Sequence, residues 1–488
     1  MQLGGKIMFA DENCIRLKHD VLYEVAKLAF SDELEEKRDN IAYDLVPGPK
    51  PQSRCCVYKE REIIRQRVRL AEGKSAGAYD DGNIIQVIDS ACADCPISSY
   101  VVTDNCQNCA GKACINACKF GAVSQGDKHS KIDPLKCKEC GMCAKACPYN
   151  AIAYLKRPCK FSCPVNAITY DENGISVIDK NKCIRCGQCI HRCPFGAIGS
   201  KTFIVDVIKA LKSDRPVFAM VAPSAEGQFG ADITMASWKK AMKDLGFDDM
   251  IEVGAGGDMT TKSEAEEWLE AYENGEKKTT SCCPAFVNMI RLHFPELGDK
   301  ISTTVSPMCM ISRMIKAKVP NAYTVFIGPC LAKKSEVVDQ QIEGNADAVL
   351  TFSEIRAIMK AKDVVLEPVS ETYQESSVYG KRYGNAGGVT ASVLEYMKET
   401  GHEVEPKVYK ANGAADCKKA LMLMKMDRLT EDFIEGMACE GGCVGGPSSF
   451  SDQNATKKTR EDMISCADCR TIIENLANYD LTAFSQHR

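Results

Sequence analysis

Histidine is scarce in this chain, with six among 488 residues. None stands in a His-x₃-His or Glu-x-x-His pairing beside the cysteines, so a mixed nitrogen and sulfur zinc site has little to build on. A basic excess is missing too. The formal net charge is −4, whereas a nucleic-acid binder shows a basic face. No run of about 18 apolar residues occurs, so no membrane span is predicted. The opening Met1-Gln2-Leu3-Gly4-Gly5-Lys6 lacks the apolar stretch and small-residue cleavage site of a secretory signal. Neither Gly-x-Gly-x-x-Gly nor a P-loop appears, which leaves a nucleotide site without support. The bulk is ordinary: 45% apolar and 26% charged residues suit globular cores, and the length predicts roughly three domains.

Cysteine is what the chain has in abundance, 28 in all. In a long chain without a signal these read as metal ligands in a reducing cytoplasm, and thiolates in Cys-x₂-Cys spacing favour iron–sulfur chemistry. Sixteen lie between 91 and 200: Cys92, Cys95, Cys106, Cys109, Cys114, Cys118, Cys137, Cys140, Cys143, Cys147, Cys159, Cys163, Cys183, Cys186, Cys189 and Cys193. That is the ligand set of four cubanes. Ferredoxin-like fragments repeat as Cys147-Pro148-Tyr149-Asn150-Ala151, Cys163-Pro164-Val165-Asn166-Ala167 and Cys193-Pro194-Phe195-Gly196-Ala197.

Cys137-x₂-Cys140-x₂-Cys143-x₃-Cys147-Pro148 has the bacterial ferredoxin spacing, in which the fourth cysteine serves the partner cluster. Its partner is Cys106-x₂-Cys109-x₄-Cys114-x₃-Cys118. The pairing gives one cluster to Cys106, Cys109, Cys114 and Cys147, and a second to Cys118, Cys137, Cys140 and Cys143. The next unit, Cys183-x₂-Cys186-x₂-Cys189-x₃-Cys193, is complete, but its partner keeps only Cys159-x₃-Cys163. A third cluster then takes Cys163, Cys183, Cys186 and Cys189. The fourth takes Cys159 and Cys193 with a donated pair, either Cys92 and Cys95 or the similar Cys466 and Cys469. Four cubanes in a string suit a wire between a surface and a buried catalyst.

The expected domains are a mostly helical 1–90, a two-cluster ferredoxin-like unit at 91–150, a second such unit at 151–201 and a catalytic domain at 202–488. Arg61 to Ala71 reads as a basic amphipathic helix with a solvated face, and Cys14, Cys55 and Cys56 as buried thiols. From about 202 the pattern is alternating α/β. Strands are predicted at 216–221 and 323–327, and helices at 262–273, 353–362 and 390–399.

Three motifs follow in this last part: Thr280-Ser281-Cys282-Cys283-Pro284, Pro329-Cys330-Leu331-Ala332-Lys333 and Met437-Ala438-Cys439-Glu440-Gly441-Gly442-Cys443. In this order, behind a cysteine-rich segment, they resemble the active-site signatures of the iron-only (FeFe) hydrogenases. The resemblance implies an α/β two-lobed catalytic domain preceded by α+β ferredoxin-like iron–sulfur domains. It implies that Cys283, Cys330, Cys439 and Cys443 hold a 4Fe–4S cubane, and that Cys443 bridges to a diiron subsite carrying CO, CN⁻ and an azadithiolate. Together these groups form the H-cluster. Cys439 and Cys443 are an i,i+4 pair, which on a helix would face one side.

The same resemblance implies a proton relay. Cys282 matches the family's relay cysteine, Glu264 and Glu267 its two glutamates and Ser302 its serine. Thr261-x-x-Glu264 reads as a capping box opening a helix. The family's outer arginine falls on Ala271. Lys333 matches the lysine that donates to a cyanide, and Glu336 its carboxylate partner. Ala222, Pro223, Ser224, Ser306 and Met437 match residues around the diiron unit. Departures are Phe286, Gly328, Met308 and Val444, where the family has other residues, and these mark a less typical branch.

The resemblance thus implies reversible reduction of protons to H₂ in the cytoplasm, with ferredoxin or a similar small carrier as electron partner. It places the cubane that holds Cys193 nearest the catalyst and turns the 106–147 unit toward the carrier. A hydrogen-sensing relative, a hydrogenase-like iron–sulfur assembly protein and a plain multi-cluster electron carrier are the alternatives. Cys282, Lys333 and the glutamate pair weigh against the assembly protein, and the three C-terminal motifs against the carrier.

Overall fold

Short runs of apolar, often β-branched residues form strands where they can be buried on both faces. Val217–Val221 and Tyr323–Ile327 are such runs, and both are strands. The computed structural model describes residues 12–95, 100–155 and 157–488, so Met1–Lys6 and Pro96 lie outside the described residues. The two strands pair in parallel at the centre of a four-stranded sheet, flanked by Asp249–Glu252 and Ala348–Leu350. A second parallel sheet has the order Lys278–Thr279, Phe433–Met437, Val408–Asn412. These sheets are the two lobes, and each of the three cysteine motifs leaves the C-terminal end of a strand.

Helices Phe352–Ala361 and Gly388–Glu399 lie close to their expected positions. The helix expected at 262–273 is longer, Val253–Glu273, so Thr261 is interior and its hydroxyl donates to the Gly257 carbonyl at 2.8 Å. The capping-box reading is therefore corrected. Its source is the Gly254-Ala255-Gly256-Gly257 run, which looks like a break. Packing explains it instead: a Cβ on Gly256 would collide with the Pro307 carbonyl of the neighbouring helix Pro307–Lys318.

The cysteine-rich segment folds as small antiparallel pairs: Tyr100–Val102 with Ile152–Tyr154, Val123–Ser124 with Lys131–Ile132, and Ser176–Ile178 with Ile168–Tyr170. The backbone repeats with the sequence. In the loops that open with Cys106, Cys137 and Cys183, the residue before the second cysteine has positive φ: Asn108, Glu139 and Arg185. So does the third residue after each fourth cysteine: Gly121, Asn150, Asn166 and Gly196. Asn and Gly tolerate that region best. The turn lets the Sγ of Cys118, Cys147, Cys163 and Cys193 accept an amide four residues on, at 3.2–3.4 Å.

The N-terminal region does not stand apart. Val21, Val25, Ile64 and Val68 share a core with Val217, Trp238 and Leu350 of the catalytic lobe. Its helix Val57–Ala71 is also less solvated than its charge pattern implies, because Gln66 and Arg67 are buried and Arg67 donates to the Gly196 carbonyl at 2.6 Å. Cys14 and Cys56 are half-buried and Cys55 is exposed, which corrects the reading of all three as buried thiols.

Candidate active site

Crevices at the carboxyl ends of parallel strands are where α/β folds place ligands. Here the loop after Val217–Val221 supplies Ala222, Pro223 and Ser224, and the loop after Tyr323–Ile327 supplies Cys330. Cys282 and Cys283 follow Lys278–Thr279, and Cys439 and Cys443 follow Phe433–Met437. All eight line one cavity of about 100 Å³, together with Lys333, Met308, Tyr383, Met437 and Arg460. A single water needs only ~10–15 Å³ by the same measure, so the space suits a larger group.

Cys283 caps the helix Pro284–His293, whose first residue is the proline expected at that position. Cys439 and Cys443 are not on an α-helix, contrary to the i,i+4 reading. Gly441 and Gly442 have φ of 77° and 83°, and Cys443 opens a short 3₁₀ turn. Two left-handed residues in succession rule out a right-handed helix there. Burial, then the neighbouring thiols Cys283 and Cys443, pushes the Cys330 thiol up to about 12. Burial and Cys283 push Cys443 up to about 11. Metal must displace those protons to bind.

Lys333 lies in the cavity wall and donates to Ser306 Oγ and Glu336 Oε2, each at 2.9 Å. Ser306 Oγ donates to Glu336 Oε1 at 2.6 Å. Burial opposes the ammonium charge, but Glu336 outweighs it and holds the Lys333 pKa above its ordinary value. Gly328 stands where the family has methionine because a Cβ there would meet the Phe326 ring at 2.8 Å and Ala222 at 3.0 Å. The Phe326 ring takes up the space that a side chain at 328 would need.

Behind Cys282 runs a line of polar groups. Glu264 is fully buried and accepts from Ser302 Oγ at 3.2 Å. Burial, and then the charge of Glu267, raises its carboxyl to about 8. Glu267 accepts from the Thr303 amide at 3.1 Å and from the Thr303 hydroxyl. Cys282 is buried, and its thiol is pushed well above the ordinary range by burial and by Cys283. Tyr383 was missed by sequence reading. It lines the same cavity with its hydroxyl buried and without a protein partner among the described residues. Nothing in its surrounding sequence marks it, since only the fold brings 383 beside 282.

The residues fit a polynuclear iron group with polar ligands. Five thiols, one ammonium and three buried polar groups without a partner among the described residues (Ser224 Oγ, Tyr383 Oη and Arg460 Nε) belong to residues lining one space. Among the described residues, no three His, Cys, Asp or Glu side chains close on one point as ligands of a single ion do.

Several of the sixteen upstream cysteines lie close to one another or share a polar neighbour. Cys114 Sγ lies 3.7 Å from Ser130 Oγ, and the Ser130 amide also faces Cys106. Burial and then Cys137 and Cys118 raise Cys143. Cys189 is raised by burial and by Cys186, Cys183 and Cys163. Cys92 and Cys159 share Ser176 Oγ at 3.5 and 3.7 Å. Burial raises Cys95 against the pull of Arg157, with Cys159, Cys92 and Cys193 adding to it. Cys466 and Cys469 are exposed. One placement is corrected: the loop of Cys183 to Cys189, not that of Cys193, abuts the cavity. Cys186 is among the charges felt by Cys439, and a Cβ on Gly187 would meet Pro447 at 3.0 Å.

Residues 215–447 match the family described as iron only hydrogenase large subunit, C-terminal domain. Residues 130–153 and 176–199, the two regular ferredoxin motifs, match a 4Fe-4S binding domain. Iron hydrogenase 1 of Clostridium pasteurianum is 30% identical over 66% of this chain and 65% of its own length. The NADP-reducing hydrogenase subunit of Solidesulfovibrio fructosivorans is 28% identical over 52% of this chain and 54% of its own. The periplasmic Fe hydrogenase large subunit of Nitratidesulfovibrio vulgaris is 27% identical over 51% and 72%. The chain therefore spans less than two thirds of the length of the first two relatives.

Proposed function

We propose that residues 215–447, which match the family described as iron only hydrogenase large subunit, C-terminal domain, form such a domain, and that the chain catalyses 2H⁺ + 2e⁻ ⇌ H₂. The observation that carries this reading is the convergence of Cys282, Cys283, Cys330, Cys439, Cys443 and Lys333 on one cavity. Cys283, Cys330, Cys439 and Cys443 would hold the H-cluster. When bound, that group supplies the redox chemistry joining two protons and two electrons. Lys333, fixed by Glu336 and Ser306, directs a charged donor into the cavity and so favours an anionic ligand there. Ala222, Pro223, Ser224 and Met437 shape the walls.

Cys282 holds its proton in this setting and delivers it into the cavity, with Glu264, Ser302 and Glu267 replenishing it from outside. A buried carboxyl that stays protonated near neutrality is a suitable donor. The sixteen upstream cysteines would hold four 4Fe–4S clusters, which would supply an electron path, with the Cys163, Cys183, Cys186 and Cys189 set nearest the cavity. The partner is ferredoxin or a similar small carrier, met by the 106–147 unit. Twenty-eight cysteines in one chain suit a reducing cytoplasm. Among the described residues no helix is long and apolar enough to cross a membrane.

The test is H₂ evolution from reduced methyl viologen by matured protein, with Cys443→Ser beside it. The parent is expected to evolve H₂ and the variant to show none. Silence from a parent that carries its full iron would contradict the reading.

A further inference from the structure

The carboxylates behind Cys282 need an outlet, and the side chain at the expected place, Ala271, is buried and carries no proton. Another segment reaches Glu267, one helical turn before Ala271. Residues 485–488 lie antiparallel to 303–305: the Val305 amide donates to the Gln486 carbonyl and the Arg488 amide to the Thr303 carbonyl, both at 2.9 Å. Arg313, from the helix Pro307–Lys318, clamps this segment by donating to the carbonyls of Ser485 and His487 at 2.6 and 2.7 Å. The result is that His487 Nδ1 sits 2.8 Å from Thr303 Oγ1 and 3.4 Å from Glu267 Oε1.

We propose that His487 is the outer mouth of the proton path, passing protons between solvent and Glu267. This rests on the hydrogenase reading above. The path opens outward in order: the Glu264 side chain is 0% exposed, that of Glu267 13% and that of His487 51%. Imidazole is suited to the role because it gains and loses a proton near neutral pH. During H₂ evolution the imidazolium gives its Nδ1 proton to the Glu267 carboxylate, and the neutral ring then takes a proton from hydronium or a buffer acid. H₂ oxidation runs the same transfers in reverse. The charged groups around the ring are Glu267 from the helix Val253–Glu273, the Arg313 guanidinium on the backbone carbonyl of His487, and the adjoining Arg488, whose guanidinium donates to the Ser281 carbonyl at 3.0 Å. Thr303 between them is neutral and can relay through its hydroxyl.

The experiment compares matured parent, His487→Ala and His487→Gln by two readouts. One is the infrared spectrum of the CO and CN⁻ bands. The other is H₂ evolution from reduced methyl viologen between roughly pH 6 and 9, with and without added imidazole. The expected result is parental bands in all three proteins. Turnover should fall about tenfold in both variants, less than the ~10²–10⁴ of a group acting in the reacting step, because water can partly substitute. The loss should grow with pH, and imidazole should restore His487→Ala. Glutamine keeps a hydrogen-bonding side chain, so its equal loss would separate proton transfer from architecture. Parental turnover and pH profile in either variant would overturn the proposal. Altered bands in the variants alone would make His487 a structural residue and overturn it as well. A parent without CO and CN⁻ bands would remove the hydrogenase reading and this inference with it.

Discussion

Glu264 holds a proton at neutral pH because its carboxylate would sit in a dry site facing Glu267. Its folded pKa is about 8 against an ordinary 4.5. Below about 4.5 both folded and unfolded chains are protonated; between about 4.5 and 8 only the folded chain keeps the proton. Stability therefore falls as pH rises through that window and levels off above it. Glu264→Gln should flatten the decline, by a few kcal/mol in order of magnitude, in denaturant midpoints taken at successive pH values. An unchanged slope would mean that the carboxyl is ionised in the fold. Cys282→Ser replaces a thiol by a far weaker acid, so it should retain the assembled cofactor but lose most turnover, while Cys282→Asp should retain some. Near-parental H₂ production by Cys282→Ser would remove Cys282 from the path. Cys282 was readable from its position beside Cys283. Tyr383 and His487 were not, since each reaches the site only through long-range packing.

At the scale of elements, the strands Val217–Val221 and Tyr323–Ile327 were legible because their apolar runs have one reading once buried, whereas Lys278–Thr279 and Phe433–Met437, which lead into the other two cysteine motifs, were not. The helix Val253–Glu273 was half legible, its first turns hidden by glycines that serve close packing on the helix Pro307–Lys318. Gly256→Ala should therefore lower stability by about 1–3 kcal/mol, whereas Gly298→Ala, with nothing within 4 Å of its Cβ, should stay within about 0.5 kcal/mol. Equal thermal melts for the two would show that the helices are not in contact as described. The ferredoxin-like loops were readable from cysteine spacing, and their positive-φ residues explain why Asn and Gly recur beside those cysteines. The Cys439–Cys443 turn misled because spacing alone cannot tell a helix from two left-handed glycines.

For the whole molecule, the Cys183–Cys189 loop lies against the cavity between the lobes, and the proposed wire would lead to it from the 106–147 unit. The N-terminal helices share the catalytic core, a union that no local pattern in residues 1–90 announces, since shared burial is a tertiary property. Cys140→Ser should slow carrier-coupled turnover yet leave turnover with reduced viologen and the active-site infrared bands in place. Loss of the bands would contradict the order of the wire. Full loading predicts about 22 irons per chain, four in each of five cubanes and two in the diiron unit. Cys92→Ala should bring the count down by about four, and an unchanged count would remove the fourth accessory cluster. The most direct measurement of the central claim is the infrared spectrum of the matured protein. The account predicts terminal CO and CN⁻ bands that disappear in Cys443→Ser, and a fully iron-loaded protein without such bands would contradict it.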